Sequence, residues 1–159
     1  MGQLMLIAEY VIDTCSILSQ KSGELYKRNL YKTGWEYIDD CIMKGRIVTC
    51  SEIAEEIKDI ELQEWLHSKQ CSILEIDNEI QENVRMIVTD NPKMIEFTKN
   101  GNGSSSGDAF LIATAIAHNL SIITEEKKDK KWKIPQICKT YGVQTYSISD
   151  FWEKEGLVF

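Results

Sequence analysis

The chain has 159 residues, a 43 % hydrophobic share, only two prolines and a net charge of −7, which excludes a disordered polypeptide and fits one compact domain over 1–159. No apolar run approaches the ~18 residues of a membrane span, and MGQLMLIAEY has neither the basic start nor the cleavage site of a signal peptide. Five cysteines (15, 41, 50, 71 and 138) without CxxC or Cys/His spacing argue against zinc and for a reduced, cytoplasmic protein with no membrane partner.

Short apolar runs at about 8–12, 46–49, 72–76, 121–124 and 143–147 read as strands, and helical patterns separate them. Such alternation predicts βαβ units and an α/β fold: an open parallel sheet of about five strands flanked by helices in three α/β/α layers. The first strand closes on Asp13. A carboxylate directly after Tyr10-Val11-Ile12 is costly at the end of a buried strand unless something pairs with it, although it could simply cap the next turn. A long helix is predicted over 24–43, with Leu30, Gly34, Ile38, Cys41 and Ile42 on one face and Asp39, Asp40 and Lys44 outside it.

Thr49 and Glu52 match a capping box, so a helix is expected to start there. With Ile53, Ile57 and Ile60 as its apolar stripe, Glu56 lies roughly 70° from the stripe's centre at ~100° per residue, while Glu55 points to solvent. Glu56 therefore borders the interior, the plainer alternative being a solvated face. Two helices are predicted within 78–99, broken at Asn91-Pro92, and NGNGSSSG (100–107) reads as a flexible loop.

Asp108 opens the run 109–117, apolar almost all round and so a buried helix; the helix dipole alone would also favour an acid there. After the fourth strand come Glu125 and Glu126. Alternation puts Glu126 on the side of Thr124, but a chain leaving a strand need not keep it, so the two acids stay level. The hydroxyls of Thr14, Ser16 and Thr124 could bond a carboxylate or metal-bound water, or only backbone groups. In EEKKDKKWK, Lys127, Lys128, Lys130, Lys131 and Lys133 could meet phosphates and Trp132 could stack on a base; the bland reading is a solvated loop. Lys21, Lys27, Arg28 and Lys32 form a second basic group on an otherwise acidic chain. Pro135 should open a short helix ending near Gly142, and Ser149 should cap a final one.

In a parallel sheet, strand ends and the adjacent helix starts face one crevice, so Asp13, Glu56, Asp108 and an acid at 125–126 can share it. Crowded carboxylates repel, and a hard divalent cation is what makes their joint ionisation tolerable; this points to metal-assisted chemistry on phosphate. Competing chemistries fit poorly. No GxxxxGK[ST] or GxSxG occurs, Cys15 has no arginine at phosphatase-loop spacing, and His67 and His118 lack a nucleophile partner.

The series YVIDTCSIL, IVTCSEIAEEI, GDAFLIATA and SIITEEK, in that order, resembles the PIN-domain ribonucleases over nearly the whole chain. It looks closest to a poorly characterised prokaryotic branch ending in a segment like KIPQICKTYGVQTYSISDFWEKEGLVF. The resemblance implies a five-stranded parallel sheet and an acid cluster of Asp13, Glu56, Asp108 and Glu126 that holds one or two Mg²⁺ or Mn²⁺ ions, with Glu126 preferred to Glu125. It further implies a metal-dependent endoribonuclease similar to the VapC-like toxin of a type II toxin–antitoxin pair, with RNA as substrate, a cognate antitoxin as partner, and homodimers. Cys15 stands where many members carry Asn or Ser, and Glu126 replaces the more usual Asp. Two other readings differ in class: a catalytically weak PIN-like module that binds RNA or protein, and a structure-specific DNA nuclease.

Overall fold

Five short strands, β1 (Tyr10–Ile12), β2 (Ile47–Cys50), β3 (Ile73–Leu74), β4 (Ser121–Ile123) and β5 (Thr145–Tyr146), lie side by side in the order β3-β2-β1-β4-β5, every pairing parallel. They belong to a computed structural model that describes residues 7–94, 106–126 and 133–159. Four fall within the apolar runs picked out in the sequence, and β2 extends one residue past its run, to Cys50. Tyr10, Val11 and Ile12 are each fully buried. Since neighbouring strand residues point to opposite faces, helices must cover both sides of the sheet, giving the three-layer α/β arrangement.

The helices are α1 (Thr14–Leu18), α2 (Lys32–Met43), α3 (Ser51–Glu56), α4 (Ile60–Ser68), α5 (Asn78–Asp90), α6 (Ser106–His118), α7 (Ile134–Tyr141) and α8 (Ile148–Lys154). Helix α6 packs on β1, β2 and β4, with α5 against it, while α2 packs on β2 and α8 on β5. The apolar character of 109–117 is what lets α6 sit in the interior: Leu111, Ile112, Ala113 and Ala115 are buried. Helix α7 carries proline in its first turn and ends on Gly142 at φ 71°, a left-handed cap that glycine adopts without strain.

Four local expectations are corrected. The helix expected from residue 24 begins at Lys32, and residues 19–31 form turns instead. The backbone there is held by specific partners: Tyr26 N–H donates to Ser19 O, Arg28 N–H to Gln20 O, and the Trp35 indole donates to Tyr26 O at 2.6 Å. Leu30 consequently lies 65 % exposed, and Asp39, placed outside the apolar face by periodicity, is buried against Arg28. No capping box forms at Thr49. That residue belongs to β2 and its hydroxyl donates to Ile12 O, while Cys50 occupies the N-cap. Helix α3 ends at Glu56, so Ile60 opens the next helix and is exposed rather than continuing the stripe of Ile53 and Ile57. The last helix is capped by Ser147, whose Oγ accepts from Asp150 N–H, and Ser149 lies inside it. The second helix expected within 78–99 and the loop 100–107 fall largely outside the described residues.

Candidate functional site

The connection β1 to β2 runs outward to one side of the sheet, and β4 to β5 runs to the other. The neighbours β1 and β4 therefore flank the point where the winding reverses, and a crevice opens beyond their carboxyl ends. Asp13 is the first residue past β1 and the N-cap of α1. Glu126 lies three residues past the end of β4, and Asp108 is in the first turn of α6. One carboxylate oxygen from each of these three lies within 4.8 Å of the others.

Asp13 is 3 % exposed and bound on three sides. Its Oδ1 accepts from Thr14 N–H at 2.8 Å, and its Oδ2 accepts from the Thr124 hydroxyl at 2.8 Å and the Cys15 thiol at 3.1 Å. These bonds favour the charged form, yet burial and the nearby Glu126 carboxylate outweigh them and push its pKa up to about 6. Loss of hydration is the larger cause: a carboxylate only 3 % exposed gives up most of its water, and neutral donors repay only part of that.

Glu126 is tied down by Ile134 N–H, which donates to its Oε1 at 3.0 Å, and by its own N–H, which donates to Thr124 Oγ1. Neither Asp13 nor Glu126 forms an ion pair with a described lysine or arginine. Glu56, the last residue of α3, approaches from the β2 side. The Thr14 hydroxyl donates to its Oε1 at 2.8 Å, and its carboxylate rests on Gly107, where a Cβ would fall 2.1 Å from Oε2. Glu55 is exposed.

The structure separates the two adjacent glutamates. Glu125 Oε2 accepts from Ile148 N–H at 2.7 Å and from the Ser16 hydroxyl at 3.3 Å, so it serves the start of α8, and burial raises its pKa. Ser16 is thereby placed on Glu125 rather than on the acid cluster, whereas Thr14 and Thr124 do contact members of it. Cys15, standing where many members of the resembled family carry Asn or Ser, keeps a hydrogen bond to Asp13. Its sulfur donates to Asp13, lies 3.4 Å from Thr124 Oγ1, and accepts from Glu125 N–H at 3.2 Å, while burial pushes the thiol's pKa well above its usual range. Asp13 is two residues away, but Thr124 and Glu125 lie 109 and 110 residues off, beyond the reach of any local pattern. Gly107 carried no such signal either, since glycine suits the loop expected over 100–107; only its place inside α6, where it costs about 0.5–1 kcal/mol relative to alanine, asks for a reason.

Lys127, Lys128, Lys130, Lys131 and Trp132 lie outside the described residues; Lys133, which is described, is the N-cap position of α7. In the other basic group, Lys21 pairs with Asp59, and Arg28 is bound to Asp39 and Gln20. An all-oxygen donor set of three carboxylates fits a hard cation such as Mg²⁺ or Mn²⁺ and not a soft one, and Glu56, expected as a fourth ligand, is not among the three. No helix among the described residues is long and apolar enough to cross a membrane.

Residues 10–159 match the family described as "Domain of unknown function (DUF4411)", and the chain belongs to it. No curated protein matches the chain. Among solved structures it is similar to one described as "Crystal Structure of FitAcB from Neisseria gonorrhoeae", at 14 % identity and a TM-score of 0.48, covering 88 % of this chain and 98 % of that one.

Proposed function

We propose that this family member is a divalent-metal-dependent endoribonuclease of the PIN-like type, one nuclease domain over 1–159, and the toxin component of a type II toxin–antitoxin pair. The observation that carries the reading is the convergence of Asp13, Asp108 and Glu126 at the switch point of a parallel sheet, their oxygens within 4.8 Å of one another. Three carboxylates gathered this closely are suited to a cation and, through it, to a phosphodiester. Bound Mg²⁺ or Mn²⁺ supplies Lewis acidity, activating water for in-line attack at phosphorus and offsetting charge on the leaving oxygen.

The chain's own residues hold that geometry. Asp13, Asp108 and Glu126 offer ligand oxygens, and Glu56 acts beside them directly or through water. Thr124 fixes the rotamer of Asp13 from the end of β4, and Thr14 does the same for Glu56 from the start of α1. The backbone bond from Ile134 ties Glu126 to α7, so the longer side chain is not left to wander. Lys127, Lys128, Lys130, Lys131 and Lys133 would meet RNA phosphates and Trp132 a base, supplying the local positive potential that a chain of net charge −7 lacks overall. A cognate antitoxin, a homodimer and a cytoplasmic setting complete the proposal.

The test is cleavage of labelled RNA in Mg²⁺ or Mn²⁺, with branched DNA in parallel, by the unaltered protein and by Asp13→Asn/Asp108→Asn. We expect RNA cleavage that depends on metal and falls at least ~100-fold in the double variant. Undiminished cutting by that variant would remove the site. RNA binding without cleavage would favour a binding module, and a preference for branched DNA would favour a DNA nuclease.

A further inference from the structure

Gly107 belongs to the first turn of α6 and its φ lies outside the left-handed region, so the backbone would accept alanine, a better helix former. What excludes a side chain is Glu56. A Cβ on Gly107 would lie 2.1 Å from Glu56 Oε2, 2.8 Å from its Cδ and 3.3 Å from its Oε1. A second contact holds the same carboxylate, since the Thr14 hydroxyl donates to Oε1 at 2.8 Å. Asp108 is the next residue along the helix and one of the three clustered acids.

From this juxtaposition we propose that Gly107 is a positioning residue: the missing side chain is the seat of the Glu56 carboxylate, and it brings the fourth acid up to the metal cluster. The inference rests on reading that cluster as a metal-dependent nuclease site. Glu56 meets Gly107 with the far end of a flexible side chain, so an added methyl would displace the carboxylate rather than the fold. The substitution therefore separates stability from function. It should leave folding intact, or improve it through helix propensity, while moving one negative charge away from its neighbours.

The experiment is a cycle of Gly107→Ala, Glu56→Ala and the double variant, each followed by metal-free melting, calorimetric titration with Mn²⁺, and kcat and KM for RNA cleavage. Gly107→Ala should melt at or above the unaltered protein, bind Mn²⁺ about tenfold more weakly and lose kcat to a similar degree, with KM within about twofold. The double variant should be no worse than Glu56→Ala alone, because both changes remove one interaction. Gly107→Ala/Glu56→Asp should recover part of the loss, the shorter side chain clearing the added methyl. Independent, multiplying losses would overturn the proposal, as would unchanged Mn²⁺ affinity in either single variant. If the unaltered protein cuts no RNA, the nuclease reading falls, while the Mn²⁺ arm of the cycle still decides the role of Gly107.

Discussion

Asp13 and Asp39 are both buried aspartates, 3 % and 7 % exposed, and their surroundings could hardly differ more. Asp39 receives both terminal nitrogens of Arg28 at 2.8 and 2.9 Å and the Trp65 indole at 2.8 Å. Arg28 is itself held by Gln20 and lies over the rings of Trp35 and Trp65. Although burial works against its charge, these partners leave the Asp39 pKa below the usual carboxylate value. Among the described residues Asp13 receives only neutral donors and faces Glu126, and with burial its pKa is pushed up to about 6. One acid has its counter-charge built into the chain and fastens residues 19–31 to α2 and α4. The other has none among the described residues. Equal burial thus hides opposite electrostatics, and the counter-charge rather than the exposure distinguishes the two acids.

Removing the counter-charge at the first site should have the largest effect on stability. Arg28→Ala leaves Asp39 buried with the indole alone, and a loss of about 2–3 kcal/mol is expected in urea unfolding. That value lies below the ~3–5 kcal/mol of a fully buried pair because the Arg28 side chain is 33 % exposed. A loss under about 0.5 kcal/mol would show that the network contributes no more than an exposed pair.

Removing charge at the second site should act in the opposite direction. The folded Asp13 carboxyl titrates near 6 against ~3.9 in the unfolded chain, so the folded state holds its proton more tightly. The stability of the protonated form is fully present below about pH 4 and is lost as pH rises through about 6. Asparagine keeps the cap on α1 without the charge. Metal-free Asp13→Asn should therefore be more stable than the unaltered protein at pH 7.5, by about 2 kcal/mol, with the gap closing near pH 4. Parallel denaturation curves across that range measure it; a destabilised variant at pH 7.5 would mean that Asp13 already has its counter-charge.

The smallest expected effect comes from adding the proposed cation. Mn²⁺ at ten times its Kd should stabilise the unaltered protein by about 1.4 kcal/mol and leave Asp13→Asn/Asp108→Asn unmoved. Equal stabilisation of both would place the ion elsewhere.

Much of this molecule was legible before folding. The five strands follow from short apolar runs, α6 from an uninterrupted apolar stretch, and α7 from its proline and glycine, because periodicity and backbone restriction are local properties. The acids at the ends of β1 and β4 stood out for the same reason: charge directly after a buried strand is locally conspicuous. Where the reading failed, a distant partner decided. Asp39 looked solvent-facing until Arg28 reached it from residues that were expected to be helical, and Thr49 turned from a cap into a donor to β1.

The sequence by itself thus determined the order of the strands, the parallel α/β sheet and which strand ends carry acid. Only the tertiary structure decided which acids meet, that Glu125 serves α8 while Glu126 joins Asp13 and Asp108, and that Glu56 sits on Gly107. The physical reason is range. Amphipathic patterning acts over a few residues, whereas the balance of a buried charge is set by whatever the folded chain brings within about 5 Å, and no local pattern encodes that.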